Sequence, residues 1–143
     1  MSLSLPEPGT ELGDRVARRL RDETIGWITS VDGSGTPQPA PVWFLWRPED
    51  SSVLLYSMPT AKRLARLRAN PRTAFHLNDA VGDDVVVLLG DLVERPDLPG
   101  AADVPEYEAK YGDVARKMFG SSEEFAARYS VPLLFVPERF RGH

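Results

Sequence analysis

Apolar residues recur at every fourth position near the start of the chain. Within residues 11–23, Leu12, Val16 and Leu20 fall on one side of a helix, so we predict an amphipathic opening helix. The preceding residues 1–10 show no such period, and we expect them to be a flexible N-terminal segment. The whole length of 143 residues predicts a single domain over residues 1–143.

Short apolar runs bounded by turn residues dominate the rest of the sequence and predict β-strands. Prolines in the second run forbid a helix and favour the edge of a sheet. The dense turn residues of segment 32–36 predict a hairpin between the first two strands. The predicted strands cover residues 24–31, 37–46, 52–57, 72–78, 83–95 and 131–140.

Helical patterns interrupt this series of strands at three further places, near residues 61–70, 104–119 and 121–129. Only the first of these lies between two strands in a clear strand–helix–strand order. A βαβ arrangement with a parallel sheet is therefore disfavoured. The pattern predicts an α+β, mainly β fold, in which about six antiparallel strands form a barrel with attached helices.

The helix that follows the strand 52–57 carries cations at the end where acids are normally favoured. We expect Thr60 to cap it, with Lys62 as its second or third residue and Arg63 next to it. First-turn N–H groups, a hydroxyl and two cations together would bind an anion strongly. The alternative is that these side chains extend into solvent and pair with surface carboxylates.

Aromatic residues lie on both faces of the predicted strand 37–46. Trp43 points to one face, and Phe44 with Trp46 to the other. Packing in a core explains such residues on most strands. The functional alternative is that one face packs while the backbone of residues 42–44 meets a planar ligand.

Composition excludes several classes of protein. A net charge of −4 and a pI near 5.2 argue against a nucleic-acid-binding protein. No run approaches the roughly 20 apolar residues that span a bilayer, and no secretory signal opens the chain, so we expect a cytoplasmic protein without membrane contact. The absence of cysteine removes thiolate chemistry, and two histidines predict no metal site.

The order of these segments resembles the pyridoxamine-phosphate-oxidase-like split β-barrel flavoproteins, in particular their deazaflavin (coenzyme F420)-dependent reductase branch. The resemblance spans about residues 12–136, and the blocks YSMPTAKRLARLRANPRTAFHLN and GTPQPAPVWF carry it. It implies a six-stranded antiparallel split β-barrel with flanking helices. It also implies a homodimer whose cofactor sites lie at the interface.

In that family a lysine, with hydroxyl or basic groups beside it, holds the cofactor phosphate, and the ring system lies along the second strand and near the fourth. The short C-terminus lacks the longer tail of true pyridoxamine-phosphate oxidases, which argues against oxidation of that vitamin. No residue matches a catalytic acid or base. The resemblance implies these cofactor-binding residues: Val42, Trp43, Phe44, Ser57, Thr60, Lys62, Arg63 and Asn78.

The function implied is hydride transfer between coenzyme F420 and a small organic substrate. Only three of the 17 cations are lysine, which fits a high-GC actinobacterial genome and favours deazaflavin over FMN. The polyglutamyl tail of F420 needs further cations, for which Arg63, Arg66 and Arg68 are candidates. Two alternatives stay open: an FMN-binding oxidoreductase of the same fold, and a flavin- or haem-binding protein without turnover.

Overall fold

The structure is a computed structural model, and it describes residues 5–143. Residues 1–4 of the predicted flexible segment lie outside the described residues. The helices are α1 (Glu11–Asp22), α2 (Lys62–Ala69), α3 (Pro105–Phe119) and α4 (Ser122–Arg128), with a short 3-10 helix at Ala101–Asp103. The strands are β1 (Gly26–Val31), β2 (Pro37–Val42), β3 (Leu45–Arg47), β4 (Ser52–Ser57), β5 (Arg72–Leu77), β6 (Val86–Glu94) and β7 (Val131–Gly142).

These strands form one seven-stranded sheet in the order β2-β1-β5-β6-β7-β4-β3, and every pair in it is antiparallel. The sheet curls into a half-barrel with flanking helices, which confirms the predicted fold class. The seventh strand arises because the predicted strand 37–46 is broken at Trp43 and Phe44. The register between β6 and β7 shifts between Leu89 and Gly90, where Glu138 is the extra residue, so β7 bends there as a strand with a β-bulge does.

The break after β2 sends two neighbouring aromatic side chains into two different cores. Phe44 is fully buried in the half-barrel, with its ring 5.0 Å from that of Phe75. A Cβ on Gly26 would lie 2.5 Å from the Phe75 ring, so this strand position must stay free of a side chain. Trp43 instead packs under α3 and α4. The predicted division of aromatic residues between two faces is therefore confirmed.

Strand β4 separates the two cores and is buried on both faces. One set of alternating side chains, including Leu55, faces the half-barrel core, which α1 and α2 also fill. The other set, Leu54 and Tyr56, faces a second core under α3 and α4. Burial of each large apolar side chain contributes roughly 1.5–3 kcal/mol. Helices α3 and α4 are therefore held on the sheet mainly by the burial of aromatic side chains in the second core.

Helix α1 forms as predicted and anchors a loop at one end of the sheet. The Thr10 hydroxyl caps it by accepting the N–H of Gly13 at 3.0 Å. Farther along α1, Arg19 donates hydrogen bonds to the main-chain carbonyls of Asn78 and Asp84. Within residues 5–143, no helix has the length and apolar character needed to cross a bilayer.

Candidate functional site

A cavity of about 300 Å³ lies where the end of β2 meets α2, α3 and α4. This volume is at the lower end of those that hold small ligands and cofactors. Val42 and Arg63 line it together with six aromatic residues. The aromatic residues are Trp43, Tyr56, Tyr107, Phe119, Phe125 and Tyr129.

Neighbouring aromatic rings fix the indole of Trp43. Its ring lies 4.8 Å from that of Tyr111 with only 6° between their planes, and 4.9 Å from that of Phe125. The ring of Phe119 meets it edge-on at 6.3 Å. Stacked and edge-to-face contacts of this kind each contribute about 0.5–1.5 kcal/mol beyond burial, so the cavity wall at Trp43 is rigid.

Helix α3 also holds the main chain where β2 ends. The Phe44 N–H donates to the Tyr111 hydroxyl at 2.8 Å, and that hydroxyl lies 2.8 Å from the carbonyl oxygen of Thr24 and 3.0 Å from that of Phe44. The ammonium of Lys110 donates to the same Phe44 carbonyl at 2.8 Å and lies 3.9 Å from the Phe44 ring centroid. Two adjacent residues of α3, Lys110 and Tyr111, thus satisfy the main-chain N–H and carbonyl of Phe44 in the bend between β2 and β3.

Sequence reasoning missed the contribution of α3. It predicted a helix near residues 104–119 but gave no role to its tyrosines. The signal that could have found them is the four-residue spacing of Tyr107, Tyr111 and Ala115, all buried on one face. Their partners, 67 positions away in the case of Tyr111 and Phe44, leave no local trace in the sequence.

One buried hydroxyl beside the cavity has no partner among the described residues. Tyr107 is only 3% exposed, and within residues 5–143 its hydroxyl forms no hydrogen bond. Burial raises the pKa of Tyr107 far above its ordinary value, so this phenol stays protonated and can only donate or accept as a neutral group.

Arg63 provides the charge of the cavity. Among the described residues it is the only charged side chain that lines the cavity, and no carboxylate there forms an ion pair with it. Burial lowers the pKa of Arg63, and the neighbouring charge of Arg66 lowers it further. A half-buried guanidinium without an acidic partner is a binding group for an anion.

The start of α2 differs from the prediction. Its N-cap is Ala61 rather than Thr60, and Lys62 is its first residue rather than its second or third. The cause is a turn over residues 58–61, in which the Ala61 N–H donates to the Met58 carbonyl at 3.1 Å. This turn leaves Thr60 exposed before the helix. Since Ala61 has no side-chain acceptor, no side chain of the described residues caps the first turn, in which the Leu64 N–H donates to the Ala61 carbonyl at 3.2 Å.

The structure brings Val42, Trp43 and Arg63 together in the cavity wall. The other five residues implied by the resemblance do not line it, and their role in cofactor binding stays a prediction. Two are buried: Phe44, in the half-barrel core, and Ser57, whose hydroxyl donates to the Met58 carbonyl at 3.1 Å. Three are exposed: Thr60 and Lys62, beside Arg63, and Asn78, which follows β5 at the end of the sheet.

The other arginines of α2 face different surroundings. The guanidinium of Arg66 lies 3.3 Å from the Ser30 hydroxyl, to which it donates. Arg68 is exposed and forms an ion pair with Glu94 at 2.7 Å. Of the cations proposed for an anionic tail, Arg68 is therefore the one already occupied by a surface carboxylate.

The sequence matches a known family over most of its length. Residues 12–136 match the model of the pyridoxamine 5'-phosphate oxidase family. The chain belongs to this family. No curated protein matches it.

Solved structures of the same fold are named for different groups. An F420 reductase superposes with a TM-score of 0.61 at 20% identity, covering 96% of this chain and 98% of that one. An FAD-binding protein from Mesorhizobium loti gives 0.60 at 21% identity, with 87% and 86% covered. The heme storage protein HutZ from Vibrio cholerae gives 0.60 at 10% identity, with 90% and 91% covered. At these identities the likeness establishes the fold of this family member.

Proposed function

We propose that this protein is an oxidoreductase that uses coenzyme F420 to transfer hydride to or from a small organic substrate. One observation carries the proposal. The uncapped start of α2 presents the cations Lys62 and Arg63 with no carboxylate paired to them among the described residues, and Arg63 opens directly into an aromatic cavity. An anionic cofactor at the helix start and a planar ligand in the adjoining cavity would satisfy both features.

The residues at the helix start fit a phosphate. Lys62, the N–H groups of the first turn of α2 and the Thr60 hydroxyl would hold it, and Arg63 adds positive potential beside them. By the family resemblance, the ring would follow the backbone of residues 42–44, with Ser57 and Asn78 near its ends. The cofactor supplies the hydride chemistry, and the chain supplies binding, orientation and exclusion of water.

Charge on α2 favours F420 over FMN. The polyglutamyl tail of F420 adds carboxylates, and besides the two cations of the helix start, Arg66 has no ion pair within residues 5–143. Two alternatives remain. The family match supports the first, an FMN-dependent oxidoreductase. The range of groups named among the structural neighbours supports the second, a flavin- or haem-binding protein without turnover.

We also propose a homodimer whose cofactor sites lie at the interface. Outward-pointing side chains of β2, β1, β5 and β6 form a row in register, which we name the outer sheet face: Pro41, Trp27, His76 and Val87. Trp27 stacks on His76 at 6.4 Å, and its buried indole N–H lacks an acceptor among the described residues. Pro41 also lines the cavity, so a second copy on this face would cover the cavity edge.

Fluorescence titration with F420 and with FMN tests the proposal. We expect wild type to bind F420 more tightly, with an affinity that falls as salt is added, because several charge pairs are screened. A hydrogen bond to a charged group contributes roughly 1.5–3 kcal/mol, so Lys62→Ala should weaken F420 binding by about ten- to a hundredfold. Arg68→Ala is the control, since Arg68 lies on the same helix but is paired with Glu94.

Two outcomes would contradict the proposal. Unchanged F420 affinity in Lys62→Ala would remove the helix start from the site. Tight binding of FMN with no binding of F420 would turn the assignment to the flavin alternative, and a Soret band in protein as purified would turn it to haem.

A further inference from the structure

The cavity and the exposed start of α2 are adjacent but distinct surfaces. Arg63 lines the cavity, whereas the exposed Lys62 before it does not. A phosphate held by Lys62 would therefore lie outside the cavity. At about 300 Å³ the cavity is small for a tricyclic ring and a substrate together, so it has room for one of them.

We infer that the cavity binds the organic substrate, and that this substrate is a planar aromatic compound carrying one anionic group. That this ligand is the substrate rests on the proposed function. The binding site itself follows from the residues that line the cavity. Aromatic side chains would contact the ring, and the guanidinium of Arg63 would pair with the anion. Lys62 and Arg66 are then left for the anionic groups of the cofactor.

The shape of the cavity favours a flat ligand. Trp43, Phe125 and Tyr129 present ring faces and edges in fixed orientations, because the Trp43 ring stacks on Phe125 at 4.9 Å and the Phe125 ring on Tyr129 at 4.8 Å. A planar ring can contact such walls by offset stacking or edge-to-face packing, which a branched aliphatic compound cannot do.

Charge in the cavity favours a single anion. The Arg63 guanidinium meets no carboxylate within residues 5–143, and Tyr129 lines the same cavity. The hydroxyl of Tyr129 forms no hydrogen bond with the described residues, so a ligand in this cavity could use it as a second donor. A carboxylate has two oxygens, which a guanidinium and a phenol can satisfy together.

Calorimetric titration with 2-naphthoate and its neutral analogue 2-naphthamide tests this inference on cofactor-free wild type. We expect 2-naphthoate to bind at least tenfold more tightly than the amide, because only the acid can pair with Arg63. Arg63→Gln should remove this preference, and Arg63→Lys should restore part of it. Arg68→Gln is the matched control and should behave as wild type, since Arg68 lies on the far side of α2 with Glu94.

The same titration is then repeated with saturating F420. Unchanged affinity for 2-naphthoate supports separate sites for cofactor and substrate, whereas competition would assign the cavity to the cofactor ring and overturn the inference. Absence of 2-naphthoate binding, or equal binding of acid and amide by wild type, would overturn it without any variant. If neither F420 nor FMN binds while the acid still does, the proposed function fails and the aromatic-anion site stands.

Discussion

At the scale of single residues, the main chain at the cavity wall is positioned by Lys110, a charged group whose burial is unfavourable. Its ammonium donates to the Phe44 carbonyl and lies over the Phe44 ring, where little water reaches it. Burial lowers the pKa of Lys110 to about 8, although the carboxylates of Asp22 and Glu23 act in the opposite direction. The contact that positions the bend after β2 therefore depends on a charge that the fold disfavours.

This depressed pKa predicts a dependence of stability on pH. Below pH 8 the lysine is protonated in both the folded and the unfolded chain, so the desolvation cost is fully present. Between about pH 8 and 10.5 the unfolded chain binds more protons, and the free energy of unfolding must therefore rise with pH. We expect wild type to gain on the order of 1 kcal/mol relative to Lys110→Met from pH 7.5 to 10, since partial solvation discounts the full shift.

Thermal and urea unfolding of both proteins at the two pH values measures this difference. Lys117→Met serves as the control, because Lys117 is exposed on the same helix. The same pH dependence in Lys110→Met, Lys117→Met and wild type would mean that Lys110 titrates alike in the folded and unfolded chains.

Part of the cavity wall could be predicted from the sequence alone. The alternation of side chains along a strand is a local rule, so the separation of Trp43 from Phe44 could be predicted. The groups that fix them could not, because Lys110 and Tyr111 are brought there by the packing of α3, 66 and 67 positions away. The aromatic lining from α4 escaped prediction for the same reason.

At the scale of elements, α2 was predicted correctly as a cationic helix, but its start was not. The sequence favours Thr60 as a cap because hydroxyl residues are good N-caps. The turn that places Ala61 at that position depends on a single main-chain hydrogen bond to Met58, which no propensity encodes. A helix start with alanine at the cap and lysine at the first position is poorly stabilised on its own.

A capping residue at position 61 should therefore raise stability and weaken cofactor binding together. In Ala61→Asp, the carboxylate can accept the N–H of Arg63 and interact favourably with the positive end of the helix dipole. We expect the cofactor-free protein to gain about 0.5–2 kcal/mol in unfolding free energy. F420 affinity should fall, because the new carboxylate occupies the same N–H groups and repels a phosphate.

The matched control is Ala69→Asp, which places the same carboxylate at the last residue of α2. There it meets the negative end of the dipole, so stability should fall slightly and cofactor affinity should stay unchanged. Unchanged F420 affinity in Ala61→Asp, despite a higher unfolding temperature, would show that the helix start holds no anion.

At the scale of the whole molecule, the family and the fold class could be predicted because the order of strands, turns and one cationic helix is distributed along nearly the entire chain. The half-barrel also has an apolar outer face, which bears on the homodimer that the sequence suggested through the family resemblance. The outer sheet face around Trp27 and Val87 is half-buried by its neighbours alone, while alternate residues of the same strands are buried in the core.

A homodimer would bury this face, and a charge placed there should prevent it. In Val87→Glu the carboxylate would lie in the row with Trp27 and His76, where a partner would have to desolvate it. Val81→Glu is the matched control, because Val81 is 79% exposed in the loop before β6. At micromolar concentration we expect sedimentation equilibrium to give dimers for wild type and Val81→Glu, and a 15.9 kDa monomer for Val87→Glu. Since the proposed cofactor sites lie at the interface, the monomeric variant should also bind F420 more weakly. A wild-type protein that sediments as a monomer would refute the homodimer, and the site would then have to be complete within one chain.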